Sequence, residues 1–141
     1  VRPFIEVMKN LGVKNGMSVF GEGGLDEASI TSRTHFAKLK NGIIEIGSFK
    51  PEDFNLKRAE IEEIKGGSPE ENAEIMLKIF KNEIKGAKRD ILLLNSALGF
   101  YISGKTTTIK EGIEFADFLL EKGDVYKKLT EFIEATNEYL G

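Results

Sequence analysis

The most specific pattern in this chain of 141 residues is Phe20-Gly-Glu-Gly-Gly-Leu-Asp-Glu-Ala-Ser29. A short, mostly apolar run from Met17 to Phe20 leads into three glycines within four residues, and Asp26 and Glu27 follow side by side. This order predicts a strand that ends in a tight turn, because glycine lets the backbone bend sharply and approach a ligand closely. Acids at the end of such a strand lie where open α/β sheets keep their binding crevice.

The adjacent carboxylates of Asp26 and Glu27 indicate a candidate magnesium site. Mg²⁺ is usually held by one or two carboxylates, while water and phosphate oxygens fill its other positions. The alternative interpretation is that both acids are only solvated, since acids near glycine-rich surface turns are often structural. The spacing of the residues alone leaves both interpretations open.

A hairpin is predicted after the acidic loop. Asn41-Gly42 separates the runs Thr34–Lys40 and Ile43–Phe49. Asn-Gly between two such runs is the strongest local hairpin signal, because a type I′ turn needs positive φ at both positions. His35, the only histidine, falls near the start of this hairpin, where a lone histidine is typical of a surface or packing residue.

Helical periodicity covers most of the remaining chain. A first helix places Phe4, Val7, Met8 and Leu11 on one apolar stripe. Ser68-Pro-Glu-Glu71 is a capping box that begins a second helix. Asn72, in its first turn, is interpreted as a solvated or locally hydrogen-bonded helix residue. Asp90 to Ser103 is apolar nearly all round and predicts a buried helix, in which Ala97 and Gly99 would permit close helix packing. Asn95 in this helix must find hydrogen-bond partners if it is buried. Two more amphipathic helices follow, beginning at Thr108 and Asp124.

Composition limits the possible classes of protein. The chain has 20 basic and 23 acidic residues, a formal net charge of −3, and no basic stripe that would favour nucleic acid as a partner. It has no cysteine, which is consistent with a cytoplasmic protein, and no run of 18 apolar residues that would predict a membrane span. The length fits a single domain over residues 1–141.

Four segments resemble anthranilate phosphoribosyltransferases, in the order and approximate spacing of that family. The first is Gly21-Glu-Gly-Gly-Leu-Asp-Glu27, followed by Ser29 and Thr34. The other three are Gly66-Gly-Ser-Pro-Glu-Glu-Asn-Ala73, Leu93-Leu-Asn-Ser-Ala-Leu-Gly99 and Lys110-Glu-Gly-Ile-Glu-Phe-Ala116. The family's N-terminal motifs, Gly-Thr-Gly-Gly-Asp and Lys-His-Gly-Asn-Arg, do not occur here, so the chain resembles the C-terminal portion of such an enzyme.

The resemblance implies a fold and an activity. The expected fold is α/β, with a small mixed sheet of one strand plus the Asn-Gly hairpin, covered by about five helices. It would form the C-terminal part of a larger nucleoside phosphorylase/phosphoribosyltransferase-type domain. The implied activity is transfer of phosphoribosyl from phosphoribosyl pyrophosphate to anthranilate in tryptophan biosynthesis, with Asp26 and Glu27 as ligands of Mg²⁺. On its own, the chain is expected to be inactive.

Other classes remain open at this point. They are a nucleic-acid-binding relative of the same fold, a pyrimidine nucleoside phosphorylase relative, and a non-catalytic domain. Because three short strands leave unpaired N–H and C=O groups at an edge, the chain is also expected to self-associate, most simply as a homodimer.

Overall fold

The structure, a computed structural model, describes residues 1–140 and shows an α/β fold. Gly141, which the single-domain prediction includes, lies outside the described residues. The strands are β1 (Asn15–Gly21), β2 (Thr34–Lys40) and β3 (Ile43–Phe49). The helices are α1 (Arg2–Asn10), α2 (Ile61–Ile64), α3 (Pro69–Phe80), α4 (Ala87–Ile102), α5 (Ile109–Glu121) and α6 (Asp124–Leu140), with a 3₁₀ turn at Pro51–Phe54. No described helix is both long enough and apolar enough to span a membrane.

The sheet has the order β1-β2-β3, and both pairs are antiparallel. The sheet is therefore antiparallel throughout the described residues, whereas the prediction was a mixed sheet. The reason is local: the loop after β1 returns the chain directly alongside that strand, so Gly21 pairs with Thr34. The predicted hairpin is confirmed, because Asn41 and Gly42 have φ values of 50° and 80°.

Helix α1 packs on this sheet through a different face from the predicted one. Ile5 is fully buried and forms a small apolar cluster with Ala37 and Leu39 of β2. The predicted stripe was wrong for three of its four members: Phe4, Val7 and Leu11 are exposed. The periodicity of α1 is compatible with burial of either face, because the helix is apolar on two sides. In the structure, the side that carries Ile5 and Met8 packs on the sheet.

The larger apolar core is built around α4, as its nearly continuous apolar sequence predicts. Leu93, Leu94, Ala97 and Leu98 are buried against α5, where Ala116 and Leu120 are also buried. Gly112 of α5 makes the close helix contact, since an added Cβ there would lie 2.8 Å from the Ala97 carbonyl oxygen. Gly99, predicted to permit close packing, is exposed and has nothing within 4 Å of that position.

Helices α3 and α6 bury less than their periodicity predicts. In α3, Ile79 is buried while Ala73 and Met76 are exposed. In α6, Val125 and Leu129 are half-buried, but Phe132 and Ile133 are exposed. The capping box of α3 is confirmed, because Ser68 Oγ accepts from the Glu71 amide and the Glu71 carboxylate accepts from the Ser68 amide.

Candidate metal centre

The acidic loop begins with a tight turn at the end of β1. The Gly21 amide donates to the Leu25 carbonyl oxygen at 2.9 Å, and the Glu22 amide donates to the Arg33 carbonyl oxygen at 2.8 Å. Gly23 and Gly24 have φ values of 90° and 98°, which lie in the left-handed region that side chains other than glycine rarely adopt. The predicted strand and glycine turn are therefore confirmed.

Asp26 and Glu27 follow this turn, and both are exposed. None of the ion pairs formed within residues 1–140 involves either carboxylate. Partial burial, and to a smaller extent the adjacent Asp26 carboxylate, raise the pKa of the Glu27 carboxyl. Both effects disfavour the charged form of Glu27, so a cation placed between the two acids would relieve part of this cost.

The chain turns inward immediately after the acids. Ala28, Ser29 and Ile30 are fully buried. The Ser29 amide donates to Oγ1 of Thr34 at 2.8 Å, and Ser29 Oγ accepts from the amides of Thr31 and Ser32 at 3.0 and 3.1 Å. Ser29 and Thr34, which belong to the loop motif, therefore hold the loop together from inside.

Helix α4 fastens the loop from the other side. Oδ1 of Asn95 accepts from the Ala28 amide at 2.9 Å, and Nδ2 of Asn95 donates to the Ala28 carbonyl oxygen at 2.9 Å. Sequence reasoning recognised that a carboxamide in this apolar helix needs partners, but it did not find them. The partner is 67 residues away in the chain, and no local pattern specifies it.

The remaining polar residues singled out from the sequence lie around the loop. His35 Nε2 lies 2.9 Å from the Glu22 carboxylate at the exposed surface. Asn72 is hydrogen-bonded locally: Oδ1 accepts from the Gly67 amide at 2.8 Å, and Nδ2 donates to the Gly67 carbonyl oxygen at 3.1 Å. The interpretation of Asn72 as a locally bonded helix residue is confirmed.

Two clefts flank the acidic loop. One, of about 290 Å³, has a polar rim of Glu27, Asn72, Lys88 and Asn95 over apolar side chains of α3 and α4. The other, of about 420 Å³, is lined by Glu22, Gly23, Leu25, Thr31, Ser32, Ala59, Glu60 and Ile61. The loop is thus accessible from both sides.

The donor set fits a magnesium ion that is held only in part by protein. No group of three or more His, Cys, Asp or Glu side chains suited to a metal occurs in the described part of the chain. The candidate protein ligands at this loop are therefore the carboxylates of Asp26 and Glu27. Two free, adjacent carboxylates on an accessible loop match the usual protein contribution to Mg²⁺ sites that also bind phosphate. Cations of the softer class would need Cys or His ligands, which this loop lacks.

Comparison with known proteins assigns the family. Residues 1–126 match the sequence model described as "Glycosyl transferase family, a/b domain". The chain belongs to this family. The part of α6 beyond Tyr126 lies outside the matched region.

Individual members of the glycosyl transferase family are also similar. An anthranilate phosphoribosyltransferase of Methanobrevibacter smithii is 42% identical over 137 residues, which are 97% of this chain and 41% of that protein. The crystal structure of the Thermus thermophilus anthranilate phosphoribosyltransferase aligns with a TM-score of 0.85 at 35% identity, covering 94% of this chain and 39% of that one.

A third similarity supports the fold alone. The Saccharomyces cerevisiae anthranilate phosphoribosyltransferase, solved in complex with PRPP and Mg, aligns with a TM-score of 0.82 at 23% identity. The alignment covers 90% of this chain and 36% of the Saccharomyces cerevisiae chain. The chain therefore spans about two fifths of the length of the relatives that it matches.

Proposed function

We propose that this chain is the C-terminal part of an anthranilate phosphoribosyltransferase. The whole enzyme would transfer phosphoribosyl from phosphoribosyl pyrophosphate to the amino nitrogen of anthranilate, in tryptophan biosynthesis. Family membership and the names of relatives about 40% identical over nearly the whole chain support this assignment. The observation that carries it is the pair of exposed carboxylates, Asp26 and Glu27, neither of which forms an ion pair with a basic side chain within residues 1–140.

The role proposed for this chain is to bind the cation of the substrate complex. During transfer, the bond between the ribosyl carbon and pyrophosphate breaks and negative charge grows on the leaving pyrophosphate. The anthranilate nitrogen forms the new bond to the ribosyl carbon and releases one proton to solvent. When bound, Mg²⁺ offsets this growing charge and orients the phosphates. Asp26 and Glu27 would hold the ion, with Glu27 directed by the anchored backbone that follows it. This account requires no general base from the chain.

The length of the relatives indicates which motifs of the enzyme lie outside this chain. The family's two N-terminal motifs, Gly-Thr-Gly-Gly-Asp and Lys-His-Gly-Asn-Arg, would lie in the remaining three fifths. We therefore propose that the isolated chain is inactive and that residues 1–141 form one domain of the longer enzyme. We also propose that the whole enzyme is a cytoplasmic homodimer without a nucleic-acid partner. The balance of 20 basic and 23 acidic residues supports the last point. Turnover of anthranilate by the purified chain would contradict the proposed inactivity.

The decisive assay uses the longer enzyme with Asp26→Asn and Glu27→Gln together. The proposal predicts a loss of turnover of at least about a hundredfold, the upper range for residues that support a metal site. The matched control is Glu62→Gln with Glu63→Gln, another adjacent and exposed acid pair, in α2. Full activity of the Asp26/Glu27 variant, or equal loss in both variants, would contradict the proposal.

A further inference from the structure

Asn95 occupies a position that is costly for a carboxamide. It lies in the middle of α4, between the buried residues Leu94 and Ala97. A polar group in such a helix destabilises the fold unless its donors and acceptors are bonded. Asn95 meets this requirement with three hydrogen bonds, two to Ala28 and one from Nδ2 to the Ile91 carbonyl oxygen at 3.0 Å.

The contact with Ala28 controls the backbone of the acidic loop. The Ala28 amide belongs to the peptide unit that begins at Glu27, and a peptide unit is planar and rigid. The hydrogen bond that the Ala28 amide donates to Oδ1 of Asn95 therefore fixes the orientation of the peptide plane that follows Glu27. Before the acids, the Leu25 carbonyl oxygen is held by the Gly21 amide. Asp26 and Glu27 thus lie between two anchored points.

We propose that Asn95 is a positioning residue of the metal site, which orients the Glu27 carboxylate for a divalent cation through its paired hydrogen bonds to Ala28. This inference rests on the proposed function, because it requires that Asp26 and Glu27 bind the cation. Asn95 contacts neither the ion nor a substrate in this scheme. Outer residues that orient metal ligands typically change metal affinity by about 10- to 100-fold when they are lost.

A purely structural role for Asn95 makes a different prediction. If Asn95 only stabilises the fold, a variant that is still folded binds cations as the wild type does. Asn72 offers a matched control, because its carboxamide makes the same paired contact with the backbone of Gly67. Asn72→Ala removes the corresponding pair of backbone hydrogen bonds, those to Gly67, without touching Ala28.

The test is a titration of the longer enzyme with Mn²⁺ in the presence of phosphoribosyl pyrophosphate, followed by the paramagnetic broadening of the backbone amide signals of residues 26–28. Mn²⁺ prefers the same oxygen ligands as Mg²⁺. In Asn95→Ala and in Asn95→Leu, which keeps the side-chain volume, we expect the Mn²⁺ Kd to rise about tenfold. Exchange of the Ala28 amide hydrogen should also accelerate in both variants. In Asn72→Ala, the Mn²⁺ Kd should stay at the wild-type value.

A wild-type Kd in folded Asn95 variants overturns the inference while leaving the proposed function intact. A wild-type enzyme that shows no broadening at Asp26 and Glu27 contradicts the proposed function, and the inference falls with it. If both Asn95 variants fail to fold, hydrogen exchange of the wild-type Ala28 amide decides whether Asn95 is coupled to the metal site. Because coupling between two events is reciprocal, Mg²⁺ must slow exchange of the Ala28 amide and leave that of Gly67 unchanged. Unchanged exchange at Ala28 in saturating Mg²⁺ overturns the inference.

Discussion

Asp26 raises the pKa of its neighbour Glu27, adding to the larger effect of partial burial, and no basic side chain within residues 1–140 pairs with either acid. The fold therefore carries an electrostatic cost at the loop when Glu27 is ionised. Such a cost is typical of sites whose charge is balanced by a ligand.

Glu27→Gln is expected to stabilise the chain at neutral pH in the absence of divalent cations. Because the folded-state pKa of Glu27 is raised, folding favours the protonated form, and its contribution is lost as pH rises through the folded pKa. The stability advantage of the variant should therefore be absent below about pH 4, near the ordinary pKa of glutamate, and should grow above it. Urea unfolding of both proteins between pH 3 and pH 8 measures this difference.

Glu62→Gln is the opposite-sign control for that experiment. Its own backbone amide, and then Lys65, lower the pKa of the Glu62 carboxyl. This lowering gives the folded state stability above the unfolded pKa, which is lost as pH falls through the folded pKa. Glu62→Gln should therefore destabilise the chain at neutral pH and have no effect in acid. Equal signs for the two variants would contradict the electrostatic account of the acidic loop.

Gly112→Ala is expected to destabilise the α4–α5 contact. The added Cβ would lie 2.8 Å from the Ala97 carbonyl oxygen and 2.9 Å from Ala97 Cα, so a helix must shift. Overpacking of this kind costs about 1–3 kcal/mol in the free energy of unfolding. Gly99→Ala, in an exposed turn of α4 with open space around it, should instead add about 0.5–1 kcal/mol. Chemical denaturation separates the two, and a stabilised Gly112→Ala would disprove the packing.

Asp117→Asn tests the ion pair between Asp117 and Arg89, a buried cation of α4. Arg89 is 5% exposed, and its guanidinium pairs with Asp117 of α5 and contacts Asn82 Oδ1 at 3.3 Å. Removing the partner of a buried charge is strongly destabilising, but Asp117 is 38% exposed, so we expect a loss of about 1–3 kcal/mol. Glu114→Gln, at an exposed position of the same helix, should change stability by less than about 0.5 kcal/mol. Equal effects would show that the pair is unimportant.

The isolated chain is expected to self-associate through the outer face of α1. Phe4 and Val7 of α1, and Leu11 directly after the end of this helix, are 73%, 54% and 78% exposed. An exposed apolar patch of this kind usually marks an interface, and a two-fold pair is the commonest arrangement. Sedimentation at micromolar concentration should show dimers, and Phe4→Glu with Leu11→Glu should give monomers. A monomeric wild-type chain would contradict this prediction.

The elements predicted from the sequence are those that local chemistry specifies. Asn41-Gly42 defines the hairpin because few residues accept positive φ, and Ser68 with Glu71 defines the start of α3 through a reciprocal cap. The turn that precedes Asp26 and Glu27 was also predicted, because Gly23 and Gly24 mark it, whereas metal binding by the two acids stays a prediction. In each case, residues within four positions of one another carry the whole signal.

The features that the sequence missed depend on contacts between distant segments. The choice between two apolar faces of α1 is made by Ala37 and Leu39 of β2, which periodicity within α1 cannot register. The bond between Asn95 and Ala28 joins residues 67 positions apart. Gly112, and not Gly99, makes the close contact between helices, because of these two glycines only Gly112 faces a neighbouring helix.

The Mg²⁺ dependence of turnover in the longer enzyme carrying Glu27→Gln tests the central claim most directly. If Asp26 and Glu27 hold the cation, the Mg²⁺ concentration for half-maximal rate should rise at least about tenfold, with no such rise in Glu62→Gln. The fold should be retained, because Glu27 is exposed and its neighbour Ala28 supplies the anchoring contacts. An unchanged Mg²⁺ dependence in a folded Glu27→Gln enzyme would contradict the account.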